Sequence, residues 1–212
     1  MTRWGDLFNA RQQLALITLA DKMRRVFPKM EDDGADPDLA EAVATYLAIA
    51  LDRLASFATR VCRWKVGTEQ NISVFSGRTA LPMVFDYFEV NPVEDISTGW
   101  KNCTDTVVGS FENVENIVFP ACISQSSATS LPYVDNHFDA VITDPPYYDN
   151  VNYAELSDFF YVWLKRIIGD VYPDLFATPL TPKGEEIVQN SVRRGDDEKA
   201  KQFFEDMLTK AF

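Results

Sequence analysis

The sequence is poor in the residues that build metal and disulfide sites. Its 212 residues include one histidine, His137, and three cysteines, Cys62, Cys103 and Cys122, with no C-x-x-C pair among them. A zinc site needs more ligands than this, and a disulfide scaffold needs more cysteines. We therefore expect no metal cofactor and no disulfide framework.

Basic residues are also scarce, because 20 lysines and arginines stand against 32 aspartates and glutamates, which gives a formal net charge of −12. A surface of this sign repels polyanions and argues against a free-standing, non-specific DNA-binding protein. No apolar run reaches the roughly 18 residues of a membrane span, and residues 1–10 lack the apolar stretch of a signal peptide. The sequence therefore predicts a cytoplasmic protein without a membrane partner.

The first helical pattern starts close to the N-terminus. Asn9, followed three residues later by Gln12, is typical of a helix N-cap with a capping-box partner. Apolar residues then recur at helical spacing as far as Phe27. Because proline interrupts helices, Pro28 is predicted to end this one.

A second and longer helical pattern follows. Asp36 and Pro37 predict an N-cap and a first-turn proline, after which apolar residues repeat at helical spacing up to Trp64. The predicted helix has about seven turns. We interpret residues 1–66 as a helical hairpin packed on the next domain, and a coiled-coil dimer seam is the alternative.

The rest of the chain has a mixed pattern. Residues 67–117 contain the chain breaker Gly99-Trp100 and are predicted to form an irregular or helical connection. Short apolar runs at 118–123 and 138–143 predict two buried strands. We assign residues 118–212 to a partial Rossmann-like core, and the whole chain to the α/β class.

Helical periodicity closes the sequence. One predicted helix ends at Gly169, and another begins at Asp196-Asp197 and is still periodic at the last residue, Phe212. Doubly wound sheets usually contain about five or more strands, whereas this pattern predicts two. We therefore expect a core that is truncated at its C-terminus, in a fragment or one piece of a split enzyme.

The strongest chemical signal is Asp144-Pro145-Pro146-Tyr147, directly after the predicted strand 138–143. Ligands of open α/β sheets bind at the carboxyl ends of strands, so a site is expected here. The segment resembles motif IV of the amino-methyltransferases, the S-adenosylmethionine-dependent enzymes that methylate adenine N6 or cytosine N4 in DNA. An ordinary strand-ending turn is the alternative, because Asp-Pro-Pro is common in turns.

The residue types suit the chemistry that this resemblance implies. An exocyclic amine conjugated with its ring is a poor nucleophile, and two acceptors at its protons favour the geometry that frees its lone pair. The Asp144 carboxylate and the Pro145 carbonyl would be those acceptors, and Pro146 stiffens the backbone. Tyr147 offers a flat face for a flipped base. The predicted catalytic residues are therefore Asp144, Pro145, Pro146 and Tyr147.

Neighbouring residues extend the predicted site. The substrate-binding residues are predicted to be Tyr148, Asn150 and Asn152. The two asparagines also fit a cap on the next helix. The cofactor-binding residues are predicted to be Ser126, Ser127 and Asp144. In related enzymes the loop at Ser126-Ser127 often carries an acidic residue, and serine would form a weaker hydrogen bond there.

A wider segment, from Asp144 to Arg166, resembles a family of large bacterial and archaeal proteins described as adenine-specific DNA methylases. The likeness covers most of the chain and includes Arg11-Gln12-Gln13-Leu14, Ala80-Leu81-Pro82-Met83, Glu89-Val90-Asn91-Pro92 and Thr181-Pro182-Lys183. It implies methyltransferase ancestry, S-adenosylmethionine as the cofactor and DNA as the partner, with adenine N6 as the preferred substrate atom.

Glycine is scarce, at nine residues, and this matters for the cofactor. Related methyltransferases carry an F-x-G-x-G loop, but the nearest segment here, Val108-Gly109-Ser110-Phe111, has one glycine. We expect that loop elsewhere in a longer protein or on another subunit, and we expect this chain alone to be inactive. Two alternatives remain: a non-catalytic degenerate domain or partner-binding module, and an RNA or protein amide methyltransferase.

Two consecutive basic residues interrupt the acidic character of the C-terminal region. Arg193 and Arg194 follow a proline-rich loop and lie near Lys183 in the sequence. Such residues can contact phosphates in a nucleic-acid-binding protein. A solvated surface turn is the favoured interpretation.

Overall fold

The computed structural model describes residues 3–73, 75, 81, 84–112, 114, 119, 121–148 and 151–212. These residues form seven α-helices and one two-stranded antiparallel sheet. The helices are α1 (Ala10–Arg24), α2 (Val26–Asp32), α3 (Pro37–Phe57), α4 (Trp100–Phe111), α5 (Tyr153–Ile168), α6 (Ser191–Arg194) and α7 (Asp197–Ala211). The strands are β1 (Arg63–Lys65) and β2 (Gln70–Ile72). None of the helices that the structure describes is long and apolar enough to cross a membrane.

The chain divides into two compact units. Unit 1 contains residues 1–116 and 157–181, and unit 2 contains residues 117–156 and 182–212. Helices α1 to α4 and both strands therefore belong to unit 1, whereas α6 and α7 belong to unit 2. Helix α5 contributes its first residues to unit 2 and the remainder to unit 1. The domain boundaries predicted after residues 66 and 117 stay predictions.

Helix α1 begins as the sequence predicts. The Gln12 backbone N–H donates to Asn9 Oδ1 and the Asn9 N–H donates to Gln12 Oε1, both at 2.9 Å, which confirms the capping box. The prediction for Pro28 is wrong: the helix breaks at Arg25, and Pro28 lies in the first turn of α2. Since first-turn N–H groups have no partner within a helix, a proline there costs no hydrogen bond.

Helix α3 begins at its predicted cap but is shorter than predicted. The Leu39 N–H donates to Asp36 Oδ1 at 3.2 Å, which confirms the cap. The helix ends at Phe57, and Trp64 lies in β1. Asn71 Nδ2 donates to the Phe57 carbonyl at 2.9 Å, so a side chain from β2 replaces the next helical N–H.

The core of unit 1 is built on one face of α3. Ala40, Ala44 and Ala48 recur every fourth residue and are at most 2% exposed. Leu51 and Leu54 extend this face and are fully buried. Because alanine side chains are small, the neighbouring α1, α2 and α4 can pack closely against this helix. Apolar burial along α3 therefore organises unit 1.

An aromatic cluster covers the part of α5 that belongs to unit 1. Phe159 is fully buried, and its ring centroid lies 4.8 Å from that of Phe75 and 5.1 Å from that of Phe160. Trp4 and Phe8 approach it at 6.0 and 5.9 Å. Aromatic pairs at such distances add to the stabilisation from apolar burial. The N-terminal residues are thereby packed against α5.

Helix α4 lies within residues 67–117, which are predicted to form an irregular or helical connection, and it begins at Gly99-Trp100, which has the composition of a chain break. Gly99 is instead the N-cap of α4, and the Trp100 N–H donates to the Pro92 carbonyl at 2.8 Å. A Cβ atom at Gly99 would lie 2.2 Å from the Glu94 carbonyl oxygen, so this close approach of two backbone segments requires glycine. The segment 108–111 therefore lies inside a helix and forms no loop.

An apolar groove of about 290 Å³ lies between α3 and α4. The Tyr46 and Phe111 rings meet edge to face at its side, with centroids 4.7 Å apart. Among the described residues no charged side chain lines the groove. Leu39 and Val108 line it although 54% and 62% of their surfaces are exposed, so the groove leaves apolar surface in contact with solvent.

The prediction of a strand at 138–143 is wrong. Val141 is 71% exposed and Ile142 is 96% exposed, and neither of the described strands pairs with the segment. An apolar, β-branched run forms a strand only where a neighbouring strand can pair its backbone N–H and carbonyl groups. Of the other predicted strand, residues 118 and 120 lie outside the described residues, and 121–123 form no strand. The Rossmann-like sheet stays a prediction.

The predicted C-terminal helices are present. Helix α5 ends before Gly169, whose N–H donates to the Lys165 carbonyl at 3.2 Å. Helix α7 has Asp196 as its N-cap, because Asp196 Oδ1 accepts the Lys199 N–H at 2.8 Å. Both helix ends use hydrogen bonds between residues at most four positions apart, which local sequence can indicate.

A buried carboxyl group lies in α3. Asp52 is 6% exposed, and its Oδ1 has no hydrogen-bond partner among the described residues. Burial raises the pKa of Asp52 from 3.8 to about 9, because desolvation disfavours the charged form. The folded protein therefore holds this group protonated at neutral pH, whereas the unfolded chain ionises it.

Replacing Asp52 with asparagine is expected to stabilise the protein at neutral pH. Protonating Asp52 there costs up to about 4 kcal/mol, since roughly three pKa units separate neutral pH from its unfolded value. The raised pKa makes the wild-type free energy of unfolding fall as pH rises from about 4 to about 9, and the variant loses this dependence. Urea unfolding at about pH 4 and about pH 8 measures it.

The exposed Asp38→Asn change on the same helix is the control, and it is expected to leave the pH dependence nearly unchanged. An Asp52→Asn variant with the same pH dependence as the wild type would show that the carboxyl group ionises freely in the folded protein.

Candidate functional site

The DPPY residues lie in an irregular loop of unit 2 that precedes α5. Asp144 and Tyr147 are exposed, the latter to 64%, whereas Pro145 and Pro146 are partly buried. Proline rings restrict φ and limit the backbone freedom of the segment. The loop therefore presents a carboxylate and an aromatic ring to solvent from a stiff backbone.

A hydrogen bond joins the two exposed side chains of the motif. The Tyr147 hydroxyl donates to Asp144 Oδ1 at 2.9 Å. This bond raises the pKa of Tyr147, because the carboxylate favours the protonated phenol. Among the described residues, nothing donates to Asp144 Oδ2 or to the Pro145 carbonyl. Two acceptors of the motif therefore have no donor among the described residues.

Tyr148 ties the motif to α7. Its ring centroid lies 4.5 Å from that of Phe204, and its hydroxyl donates to Glu205 Oε1 at 2.8 Å. Its carbonyl accepts the Gln189 N–H at 3.2 Å. The backbone at Tyr148 has φ +47°, a left-handed conformation that costs energy for a residue with a side chain. These contacts make Tyr148 a tether of the loop, and its role in substrate binding stays a prediction.

An ion-pair cluster holds the first turn of α5. Glu186 Oε1 accepts the Ala154 N–H at 2.8 Å, so a residue far along the chain satisfies a first-turn donor. Arg193 donates to Glu186 Oε2 at 2.6 Å and pairs through two nitrogens with Glu155. The Arg193 side chain is 15% exposed. Burial opposes its charge, but the hydrogen bonds to both carboxylates raise the pKa of Arg193.

The cluster shows that neither sequence interpretation of Arg193 describes its position. Its guanidinium is occupied by Glu155, Glu186 and the Lys183 carbonyl, so it is neither a solvated turn residue nor an open phosphate contact. Arg194 lies over the Phe203 ring, with its Cζ atom 3.4 Å from the ring centroid.

The structure describes one of the two asparagines that are predicted to bind substrate, Asn150 and Asn152. Asn152 Oδ1 accepts a hydrogen bond from Asn190 Nδ2 at 2.8 Å, and Asn190 Oδ1 caps α6 by accepting the Arg193 N–H at 3.0 Å. Asn152 Nδ2 has no acceptor among the described residues. Asn150 lies outside the described residues. Substrate binding by either residue stays a prediction.

The predicted cofactor serines lie in a tight turn. Ser127 forms an isolated antiparallel bridge with Ser130, and its hydroxyl lies 2.8 Å from Thr129 Oγ1. Ser126 and Ser127 are both exposed. The turn belongs to unit 2, like the DPPY loop. A hydroxyl that already bonds to its neighbour is a weak cofactor ligand, and cofactor binding by these serines stays a prediction.

Sequence reasoning missed the residues that position the loop. Phe204, Glu205 and Glu186 contact residues that are 32 to 57 positions away along the chain. No local pattern indicates such contacts. The sequence shows Arg193 as part of a basic pair, but no local pattern indicates the two carboxylates around it, Glu155 and Glu186.

No group of three histidine, cysteine, aspartate or glutamate side chains able to hold a metal ion occurs in the described part of the chain. Comparisons of the chain with protein-family models, with curated proteins and with solved structures gave no match.

Replacing Arg193 with methionine is expected to lower the stability of unit 2. The change leaves Glu155 and Glu186 close together without their cation, and we expect a loss of about 2 kcal/mol because Glu155 is partly exposed. Urea unfolding gives the loss, and hydrogen exchange at the first turn of α5 locates it.

The matched control is Lys199→Met, which removes an exposed cation that lies 2.8 Å from Asp196. Exposed pairs contribute roughly 0–1 kcal/mol, so this variant should remain close to the wild type. Equal losses in the two variants would mean that the Arg193 cluster does not hold α5.

Proposed function

We propose that this chain is the base-holding part of an S-adenosylmethionine-dependent DNA amino-methyltransferase with a partial Rossmann-like core, and that adenine N6 is its target atom. One observation carries the proposal: the Asp144 carboxylate and the Tyr147 ring are exposed together on one loop and joined by a 2.9 Å hydrogen bond. The resemblance of Asp144-Pro145-Pro146-Tyr147 to motif IV assigns a role to each group.

The proposed mechanism uses the acceptors of the loop. Asp144 Oδ2 and the Pro145 carbonyl accept hydrogen bonds from the two N–H groups of the amine. These bonds favour a pyramidal nitrogen whose lone pair points out of the plane of the ring. A methyl donor bound elsewhere would lose its methyl carbon–sulfur bond as the nitrogen–carbon bond forms, and would leave as a neutral thioether. The methylated amine would then be cationic and would return to neutrality by losing a proton to Asp144 or to water. Asp144 acts mainly by orientation and by stabilising positive charge.

The base itself needs a face to stack on. The Tyr147 ring is 64% exposed, whereas the Tyr148 ring already packs against Phe204. Stacking on an aromatic side chain contributes about 1–3 kcal/mol per base. Tyr147 is therefore the stacking residue in the proposal, and Tyr148 positions the loop from which it projects.

The described residues do not form a cradle for S-adenosylmethionine, which would supply the methyl group. The sequence has no F-x-G-x-G loop. Ser126 and Ser127 are exposed, and the Ser127 hydroxyl is hydrogen-bonded to the Thr129 hydroxyl. The proposal therefore assigns cofactor binding to another segment or another subunit, and base holding to this chain.

Asp144→Ala is expected to reduce methyl transfer by about a thousandfold, because it removes both an acceptor and the charge beside the amine. The assay follows transfer of labelled methyl groups to duplex DNA by the protein assembled with the part that carries the cofactor loop. RNA and an asparagine-containing peptide serve as the other substrates.

Asp139→Ala, which removes an exposed carboxylate five positions earlier, is the control and should keep full activity. Undiminished transfer by Asp144→Ala would contradict the proposal. Transfer to RNA or peptide in place of DNA would support the proposed chemistry of the DPPY residues but would show that the substrate is not DNA.

A second candidate, a partner-binding module, is favoured by the apolar groove between α3 and α4. Acidic residues adjoin the residues of the groove: Asp38 precedes Leu39, and Glu112 follows Phe111. The occupant that fits both features is an amphipathic helix with an apolar face and basic flanks. The net charge of −12 disfavours a second copy of this chain as that occupant.

Val108→Asn is expected to weaken binding of a synthetic leucine–lysine amphipathic helix about tenfold, because the change removes apolar surface from the groove. Fluorescence anisotropy of the labelled peptide gives the affinity. Thr106→Asn, an exposed change on another face of α4, is the matched control, and a scrambled peptide of the same composition tests for charge alone. Equal affinity of the two peptides would rule out the groove as a helix site.

A further inference from the structure

Two segments that the proposed function does not use meet at one pocket of unit 1. Residues of α1 between positions 11 and 16 and residues 89–92 are far apart in the sequence, and both segments contribute to a pocket of about 410 Å³. Arg11 and Gln12 line it from the first turn of α1, and Glu89 and Asn91 line it from the other segment. Small-molecule pockets have volumes of roughly 300–1,000 Å³, so this one has the size of a ligand site.

The charged groups of the pocket neutralise each other. Arg11 Nε and Nη2 donate to Glu89 Oε1 and Oε2 at 3.0 and 2.8 Å, and Asn9 Nδ2 donates to Oε2 at 3.1 Å. The hydrogen bonds from Arg11 lower the pKa of Glu89, so the carboxylate is ionised. A carboxylate has about four lone-pair sites. One acceptor site on Oε1 therefore remains.

Gln12 supplies an unsatisfied donor. Its side chain is buried, at 4% exposed, and Oε1 is occupied by the Asn9 N–H at 2.9 Å. Its Nε2 atom is buried with no hydrogen-bond acceptor among the described residues. A buried donor without an acceptor is costly, and native proteins contain few of them. Asn9 forms hydrogen bonds with both Gln12 and Glu89. The unsatisfied donor, Gln12 Nε2, and the remaining acceptor, Glu89 Oε1, therefore belong to residues that both contact Asn9.

We propose that this pocket binds an uncharged planar molecule whose edge carries a hydrogen-bond donor next to an acceptor, as amides and amino-substituted nucleobases do. The donor of the ligand bonds to Glu89 Oε1, and its acceptor receives Gln12 Nε2, which is buried in this structure and reaches the ligand through a small rotation of the Gln12 amide towards the pocket. The apolar faces of the ligand pack against Leu16, Val90 and Pro92, which also line the pocket.

The charge of the protein favours an uncharged ligand. Arg11 and Glu89 compensate each other, and the net charge of −12 opposes anions. A cation would have to compete with Arg11 for the carboxylate. This site uses none of the DPPY residues, so it stands whether or not the proposed function does.

Two pairs of probe molecules test whether the pocket recognises a hydrogen-bond donor beside an acceptor, and they distinguish a nucleobase from an amide as the ligand. Adenosine is compared with purine riboside, which keeps the ring acceptor but lacks the amino donor. Nicotinamide is compared with 3-acetylpyridine, which keeps the carbonyl but lacks the amide N–H. Isothermal titration calorimetry is expected to show about tenfold tighter binding of the donor-bearing member of the pair that fits.

A variant of Gln12 tests the donor in the protein. Gln12→Glu keeps the acceptor that caps α1 but replaces the Nε2 donor, so we expect about tenfold weaker binding of the preferred probe. Gln13→Glu is the matched control: it makes the same change one residue later, where Nε2 donates to the Gly5 carbonyl, and it should keep wild-type affinity.

Circular dichroism checks the fold of each variant. Should Gln12→Glu fail to fold, Glu89→Gln provides the second test, and it is expected to remove the preference for the donor-bearing probe. The proposal is overturned when neither adenosine nor nicotinamide binds at millimolar concentration, when the members of both pairs bind equally, or when a folded Gln12→Glu protein binds as the wild type does.

Discussion

Polar groups that folding removes from water must find hydrogen-bond partners, and this constraint determines where the helices of this protein begin and end. A helix leaves four N–H groups and four carbonyls without internal partners. Asn71 satisfies the Phe57 carbonyl at the end of α3, and Glu186 satisfies the Ala154 N–H at the start of α5. Both partners come from distant parts of the chain. Tertiary contacts therefore limit these helices where apolar periodicity alone would extend them.

The same constraint separates what the sequence predicts from what it does not. Helices α1 and α7 have caps whose partners lie three residues away, Asn9 with Gln12 and Asp196 with Lys199, so a local pattern indicates them. Residues 138–143 have the composition of a strand, but a strand needs a partner that no local pattern supplies. The start of α4 has no local signal for a related reason, because Gly99 allows a close backbone contact with Glu94 and does not break the chain.

The candidate site also combines features that the local sequence indicates with features that depend on contacts between distant residues. The residue types of the DPPY segment can be read from the sequence, and the hydrogen bond between Asp144 and Tyr147 joins residues only three positions apart. The position of the loop depends on contacts across unit 2, chiefly Tyr148 with Phe204 and Glu205. Tyr148 adopts a left-handed backbone conformation that these contacts must stabilise. Sequence thus indicates the chemistry of the loop, whereas its orientation is a property of the folded unit.

Four buried side-chain atoms have no hydrogen-bond partner among the described residues, and two of them, Asp52 Oδ1 and Gln12 Nε2, belong to groups that differ in how they can respond to burial. Asp52 can take up a proton, and its raised pKa shows that protonation removes the charge that burial penalises. The Gln12 amide has no protonation state that removes its need for an acceptor. Its unsatisfied Nε2 belongs to a residue that lines a pocket with a carboxylate, whereas Asp52 lines none of the described pockets. A titratable group can adjust to burial by itself, but an amide needs a partner, which is why Gln12 indicates a ligand and Asp52 does not.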